Sequence, residues 1–423
     1  MTERLLQFIW QFQYFNKRQL QTTVGEDLYI LYPGILNTNQ GPDFSEAKIK
    51  IEHTVLVGHI ELHLLSSQWF QHAHHTDNNY QTVVLHVVWQ HDMLVELPNG
   101  GILSTLELQP LVSGLLLQQY ESLIHSRGFV PCEASLPLLT GLAWMGWKER
   151  LAIERLTRKS KTVTGMLAES KQHWEEIFWW MLARNFGVTV NMDCFEQIAR
   201  SIPVKLLAKH KNQLIQLEAL LIGQAGLLED EFKEDYPVLL QREYRFLKKK
   251  YQLERINITP AFLRMRPANF PTVRLAQLAK IIHHSSHLFS VVKEATDVEE
   301  IKQRLNVTAN DYWHYHYRFE VTTEHKPKTL GEQMINNILI NTVVPVLFAY
   351  GVYHKEQIWR DKAVSWLMQI PPEANTITKN WKQHGVTNQN AFDSQALLEL
   401  KKYYCNEKRC LDCVVGNRLL KNL

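Results

Sequence analysis

Neither sign of charge dominates this sequence. Its 46 lysines and arginines stand against 43 aspartates and glutamates, a formal net charge of +3 over 423 residues. A histone-like chain is therefore excluded, and any basic binding surface has to be a local patch. A secretory signal is missing as well: Met1-Thr2-Glu3-Arg4-Leu5-Leu6-Gln7 has no basic region leading into an apolar run and a small-residue cleavage site. Long apolar runs are lacking. The segment 338–350 is shorter than the roughly 20 residues that cross a bilayer, and it contains Asn341 and Pro345, so no membrane span is expected. Cysteines are few, five in all, and three crowd near the C-terminus. That distribution suits thiols or metal ligands in a reducing compartment better than a disulfide framework. These absences together predict a cytoplasmic location. There is no repeat of fixed period and no low-complexity tract.

What is present is the composition of a folding chain: 45% hydrophobic and 21% charged residues, close to the globular average, at a length that calls for two or three packing units. Phe8, Ile9, Phe12 and Phe15 are spaced for an opening amphipathic helix within 5–20. Strand patterns follow. Residues 27–31 end at Pro33-Gly34; in 55–65, alternation puts Leu56, Ile60, Leu62 and Leu64 on one face and His59, Glu61 and His63 on a second, wet face. The run 83–89 is apolar enough for a strand buried on both sides, and Asn99-Gly100 within Pro98-Asn99-Gly100-Gly101 signals a hairpin turn where the sheet ends. After Pro110 long helical patterns take over, at 146–159, 174–186, 206–224 and 232–253, with a polar aromatic break over 310–328. The expected fold is α+β: an N-terminal mixed sheet with a nuclease-like α/β core, then a larger, mostly helical region. The boundaries expected are 1–130, 131–310 and 311–423.

The densest chemistry lies in the front segment, in Gly41-Pro42-Asp43-Phe44, Gly58-His59-Ile60-Glu61-Leu62-His63 and His72-Ala73-His74-His75-Thr76-Asp77, with His86 beyond. Alone, the His72–His75 run reads as a solvated loop and His86 as a core histidine. Together with two carboxylates on neighbouring strands they read as a site for a divalent cation, Mg²⁺, Mn²⁺ or Zn²⁺, which would polarise a phosphodiester and activate water. Asp43 and Glu61 are the natural ligand pair, with His63 assisting the water or the metal. A second arrangement uses the loop instead, with Glu61, His63, His72, His74 and Asp77 as ligands and Asp43 outside. Histidine ligands favour a transition metal over Mg²⁺.

Cys405, Cys410 and Cys413 form a C-x4-C-x2-C pattern compact enough for three thiolates to meet one metal, with Cys132 the first choice for a fourth ligand of a structural zinc site. Closed tetrahedral geometry would bring the sulfurs mutually within roughly 4 Å. A basic, aromatic stretch over 242–274 includes Lys248, Lys249, Lys250, Arg264 and Arg266; it reads either as a solvated helix face or as a track for a phosphate backbone.

A helix, then Pro42-Asp43 at a strand start, then Glu61-Leu62-His63 on the next strand is similar to the nuclease superfamily whose signature is Pro-Asp followed by Asp/Glu-x-Lys. Here His63 stands at the lysine position, exchanging a permanent cation for a group that titrates near neutrality. A wider set of motifs resembles an uncharacterised bacterial family, the domain of unknown function 2851. That set comprises Gly41-Pro42-Asp43-Phe44, Glu61-Leu62-His63 with Ser66-Ser67 and Trp69, and His72, His74, Asp77 and Tyr80 leading into Leu85-His86-Val87-Val88. It continues with Glu218-Ala219-Leu220-Leu221 before Gly223-Gln224-Ala225-Gly226, then Arg264 and Arg266-Pro267-Ala268-Asn269-Phe270-Pro271, and the terminal cysteines. This resemblance implies no activity. The functions expected are a metal-dependent phosphodiesterase acting on nucleic acid, a non-catalytic nucleic-acid or protein-binding scaffold, or a metal-dependent hydrolase of another substrate that uses the His-rich loop.

Overall fold

The computed structural model of the chain describes residues 1–37, 39–97, 100–138, 141–263, 265–285 and 287–421. Contacts divide it into two compact units, one made of Met1–Ala143 together with Leu400–Leu423 and the other of Trp144–Glu399. The sequence places boundaries at 130 and 310; contacts place them at 143 and 399, and the cysteine-bearing tail groups with the sheet. Its burial explains why. Leu411, Val415 and Leu420 are buried, Asp412 pairs with Arg4, and Asn417 Oδ1 accepts a 3.2 Å bond from the Tyr14 hydroxyl.

The first unit is built on a mixed sheet, as the pattern predicts. Its strands are β1 (Leu28–Tyr32), β2 (Ile35–Leu36), β3 (Phe44–Ile51), β4 (Thr54–Leu65), β5 (Val83–Gln90) and β6 (Thr105–Glu107), in the order β1-β3-β4-β5-β6 with β2 also on β3. β1, β3 and β4 pair antiparallel, whereas β4, β5 and β6 pair parallel. The expected turn at Pro98-Asn99 lies outside the described residues; beside it Leu97 N bonds Gly101 O and Leu103 N bonds Val95 O.

The parallel step from β4 to β5 decides the rest, because parallel neighbours require a crossover passing over one sheet face. Residues 66–82 make that crossover, with a short helix α1 (Gln68–Gln71) and 3₁₀ turns at His74–Thr76 and Asn78–Tyr80. Trp69 enters a cluster with Val83, Val95 and Leu103. The second face of β4 is therefore not wet, as alternation alone suggests: Glu61 is 6% exposed and His63 1%, while the uncovered end of the strand leaves Val55 and Val57 half to two-thirds exposed.

The opening helix runs only Glu3–Gln11, capped by the Thr2 side chain, with Leu5, Leu6, Phe8, Ile9 and Trp10 buried. It stops well before residue 20, where Gln13 takes a left-handed conformation at φ 57°.

The second unit is mostly helical. Trp174–Phe186 forms a helix as patterned, but 206–224 is two helices, Val204–His210 and Leu214–Gln224. His210 folds the joint by bonding Gln216 at 2.6 Å and the Tyr251 hydroxyl at 2.9 Å. The break over 310–328 holds a 3₁₀ turn at Asp311–His314 and a small hairpin, His316–Arg318 with Val321–Thr322. Pro345 does not end its helix: a 22-residue helix spans Glu332–Tyr353, most of its apolar length buried inside the structure. A π turn at Leu339–Val343 precedes the proline, the kind of local widening that absorbs a missing backbone donor.

Candidate metal centre

β4 brings Glu61 and His63 to the covered face two residues apart, and the crossover returns His72 and His74 above them. His63 Nε2 is 3.1 Å from His72 Nδ1, and Glu61 Oε1 lies 3.6 Å from His63 Nε2 and 3.3 Å from His74 Nε2. One ligand nitrogen from each of His63, His72 and His74 falls within 4.8 Å of the others. His63 is buried, His74 is 9% exposed, and His72 faces solvent, so the trio opens outward on one side only.

The surroundings hold these rings in place. β4 and β5 pair in register Glu61↔His86, setting His86 Nε2 2.9 Å from His63 Nδ1. The His74 ring stacks on Tyr80 at 3.7 Å between centroids, and Trp69 packs edge-on against it. His74 Nε2 and His86 Nδ1 are buried without a hydrogen-bond partner, a costly condition for polar atoms. For His74 Nε2 the nearest acceptor is Glu61 Oε1 at 3.3 Å, which makes no well-aligned hydrogen bond to it.

Asp43 stands beside Glu61 with hydrogen bonds of its own. Its Oδ1 accepts from Gln7 Nε2 at 2.8 Å and its Oδ2 from Leu62 N at 3.1 Å, while its own N–H donates to Glu61 Oε2 at 3.0 Å. The register between β3 and β4 slips between Phe44 and Ala47, and side-chain bonds replace the ladder there. Asp43 therefore holds Glu61 in position and both its oxygens are engaged. Asp77 is not in the trio either: it caps the turn Asn78–Tyr80 through a 2.9 Å bond from Asn79 N.

Electrostatics follow from burial. Burial and then Asp43 push the Glu61 carboxyl up, and burial together with Glu3 does the same to Asp43, against the bonds from Leu62 and Gln7. Burial, then His72, pushes His74 down to about 4; burial, then His74, takes His86 to about 3, and His63 is also strongly lowered by burial and the neighbouring rings. For His63, His74 and His86 burial thus favours the neutral ring, the state in which an imidazole ligates a metal.

A family described as protein of unknown function (DUF2851) matches residues 3–376. The chain belongs to this DUF2851 family. No curated protein and no solved structure matches it, so the nuclease-like core expected from Pro42-Asp43 and Glu61-Leu62-His63 has no structural relative behind it.

The other sequence-predicted residues lie elsewhere. Lys248, Lys249 and Lys250 are exposed in the last turn of the helix Asp235–Tyr251, with Lys248 over the Tyr244 ring and Lys250 over Phe246 and Tyr251. Arg266 is exposed, and Arg264 lies outside the described residues. Cys132, Cys405, Cys410 and Cys413 are all buried in the sheet unit. Among the described residues the histidine trio closes to within 4.8 Å; the sulfurs are not in such a group, and so do not have the spacing of a closed tetrahedron. Gln7 is the contributor that sequence reasoning missed, since nothing in a helix pattern tells which polar residue meets a strand. His86 carried a signal, a histidine inside an apolar strand, without showing what it touches.

Proposed function

We propose that the DUF2851 sheet unit is a metal-dependent hydrolase whose cation, Zn²⁺ or Mn²⁺, is held by His63 Nε2, His72 Nδ1 and His74 Nε2. The observation that carries this reading is the convergence of three imidazole nitrogens within 4.8 Å beside a buried carboxylate. His63 fits the role: with a proton on Nδ1 donated to His86 Nε2, its Nε2 lone pair is free for a metal, and such a partner fixes a ligand's tautomer and orientation. Three neutral ligands leave a coordination position for water, which a cation acidifies. Glu61 Oε1, 3.6 Å from His63 Nε2 and 3.3 Å from His74 Nε2, is the group that would accept that water's proton, once the charge of a bound cation offsets the burial that favours its protonated form. His72, on the open side, marks where substrate enters.

A phosphodiester of nucleic acid is the substrate class to test first, because Asp43 and Glu61 sit side by side in the helix, Pro-Asp, Glu-x-basic order and the chain carries an exposed basic turn at Lys248–Lys250. The full chain is assayed with Zn²⁺, Mn²⁺ or Mg²⁺ against single- and double-stranded DNA and RNA and against simple phosphodiesters and esters. Metal affinity is read in parallel by chelator competition. His74→Ala is expected to weaken cation binding more than ~100-fold and abolish cleavage. Asp43→Asn, which keeps the backbone N–H to Glu61 and disturbs only the side-chain bonds to Gln7 and to Leu62 N beside it, should cost about 10-fold, the lower end of the effects of such supporting groups. Equal losses would make Asp43 a ligand and restore the carboxylate-pair arrangement; no cation bound at this site would sink both.

A further inference from the structure

The face of β4 that carries Glu61 and His63 continues beyond the histidine centre. Side chains alternate along a strand, so Val55 and Val57, at the uncovered end of β4, stand on that same face. Strand register widens it. Lys50 pairs with Val55 and Lys48 with Val57, while on β1 Tyr29 pairs with Lys50 and Tyr32 with Lys48. Residues opposite one another in an antiparallel pair lie on one side of the sheet. Two rows result, Tyr29-Lys50-Val55 and Tyr32-Lys48-Val57. The register shift between Ile30 and Tyr32 is what sets a second tyrosine, and not Leu31, opposite Lys48. Ala47, Ile49 and Ile51 alternate inward to the core and are buried, whereas Tyr29, Tyr32, Val55 and Val57 are 43–69% exposed.

Large apolar side chains exposed together on three adjacent strands mark a binding surface, and the chemistry of these rows selects its occupant. Lysines run between the tyrosines and the valines, with Lys50 Nζ 5.7 Å from the centroid of the Tyr29 ring, within cation–π range. The acid of β3, Glu46, sits where the register to β4 slips, at φ 59° and out of the alternation. The two rows are therefore cationic and suit an anion that also offers flat apolar groups. A second copy of the chain fits poorly, because a two-fold contact across this face sets its lysines against their own counterparts. A nucleic-acid duplex stacks its base faces inside and leaves the tyrosines and valines without partners. An unpaired strand satisfies both, its phosphates meeting the lysines and its bases the rings.

We propose that this face seats single-stranded nucleic acid, with bases stacked on Tyr29 and Tyr32, backbone phosphates held by Lys48 and Lys50, and Val55 and Val57 as an apolar floor. Stacking accepts any base, so sequence preference is weak. The inference rests on the phosphodiesterase reading of the histidine centre and narrows its substrate to unpaired strands. A strand laid along β4 passes His59 and reaches Glu61 about 13 Å beyond Val57, at roughly 3.3 Å per residue. Platform and centre thus share one face of one strand, and the platform would deliver the chain to be cut.

The test reads binding apart from cleavage: the full chain is titrated, in chelator, into labelled short DNA and RNA oligonucleotides, single-stranded and duplex, and followed by fluorescence anisotropy. Single strands should bind more tightly than duplexes. Tyr29→Ala and Tyr32→Ala should each weaken binding about 10-fold, the loss of one stacked base, and Tyr29→Phe should restore it. Lys48→Ala/Lys50→Ala should flatten the slope of log affinity against log salt by about 1.4, roughly 0.7 for each phosphate contact. On the natural chain, a bound single strand should protect Lys48 and Lys50 from acylation, read by mass spectrometry, which decides the matter without any variant. Lysines left unprotected, a preference for duplex, or affinity that follows Lys248, Lys249 and Lys250 instead would overturn the proposal. So would a chain that binds no oligonucleotide and self-associates until Val57→Glu separates the copies. Because no cation is present, binding without cleavage in later metal assays counts against the hydrolase reading alone, and cleavage of simple esters without oligonucleotide binding counts against the platform alone.

Discussion

Glu61 shows what residue-level reading can and cannot find. A carboxylate alternating with histidines on a strand marks a site, and three of the residues singled out for metal binding, His63, His72 and His74, do converge. The division of labour between the two acids was not legible, because it depends on which backbone N–H each meets: Asp43 takes Leu62 N, and Glu61 takes Asp43 N. A second acid, Glu218 in the helical unit, lay inside a recognised motif with no role attached. It is fully buried and accepts from the Tyr236 hydroxyl at 2.8 Å and from Asn310 Nδ2 at 3.1 Å, while Oε1 has no partner. Burial pushes its carboxyl up to about 7, against the pull of those bonds. The folded state then holds a proton that the unfolded chain releases near 4.5. Its contribution to stability is full below pH 4.5 and is lost as pH rises to about 7. Urea unfolding of the natural chain should weaken across that window relative to Glu218→Gln, which has no such proton to lose. Parallel stability profiles for the two proteins would refute this.

At the scale of elements, the crossover matters more than any single strand. Local pattern located β4 and β5 well, the first by its alternation and the second by its apolar run. Their parallel pairing is not local, and it is this pairing that sends residues 66–82 across the sheet and buries a face that alternation leaves wet. Close approach at the start of the pairing depends on Gly58: a Cβ there would lie 2.5 Å from Thr82 O and 2.5 Å from Val84 Cγ1. Gly58→Ala should therefore force β4 and β5 apart where His59 N bonds Thr82 O, at a cost of about 1–3 kcal/mol by analogy with overpacked cores. The denaturation midpoint should fall, and cation binding by the histidine trio should weaken with it. A midpoint equal to that of the natural chain would show that the strands adjust freely.

At the scale of the whole molecule, the tail from Leu400 belongs with residues that begin the chain. The Arg4–Asp412 ion pair, the Tyr14–Asn417 bond and the Lys408–Ser126 bond all lie within the sheet unit. A chain ending at Glu399 should expose the apolar seats of Leu411, Val415 and Leu420. Amide exchange should accelerate in the helix Glu3–Gln11 and over 113–132, and undiminished protection there would show that the tail is dispensable to the unit.

Sequence alone determined whatever depends on near neighbours along the chain: the strand and helix types, the change of character after Pro110, the α+β class, and the crowding of imidazoles and carboxylates in the front segment. Family membership was legible for a related reason, since its motifs run through most of the chain. Only the tertiary structure decided that Asp43 supports Glu61 instead of joining the histidines, that Gln7 and His86 complete the surroundings, and that the last two dozen residues pack with the first unit. Those outcomes rest on contacts between segments distant in sequence, where periodicity carries no information and burial of the shared surface selects the partner.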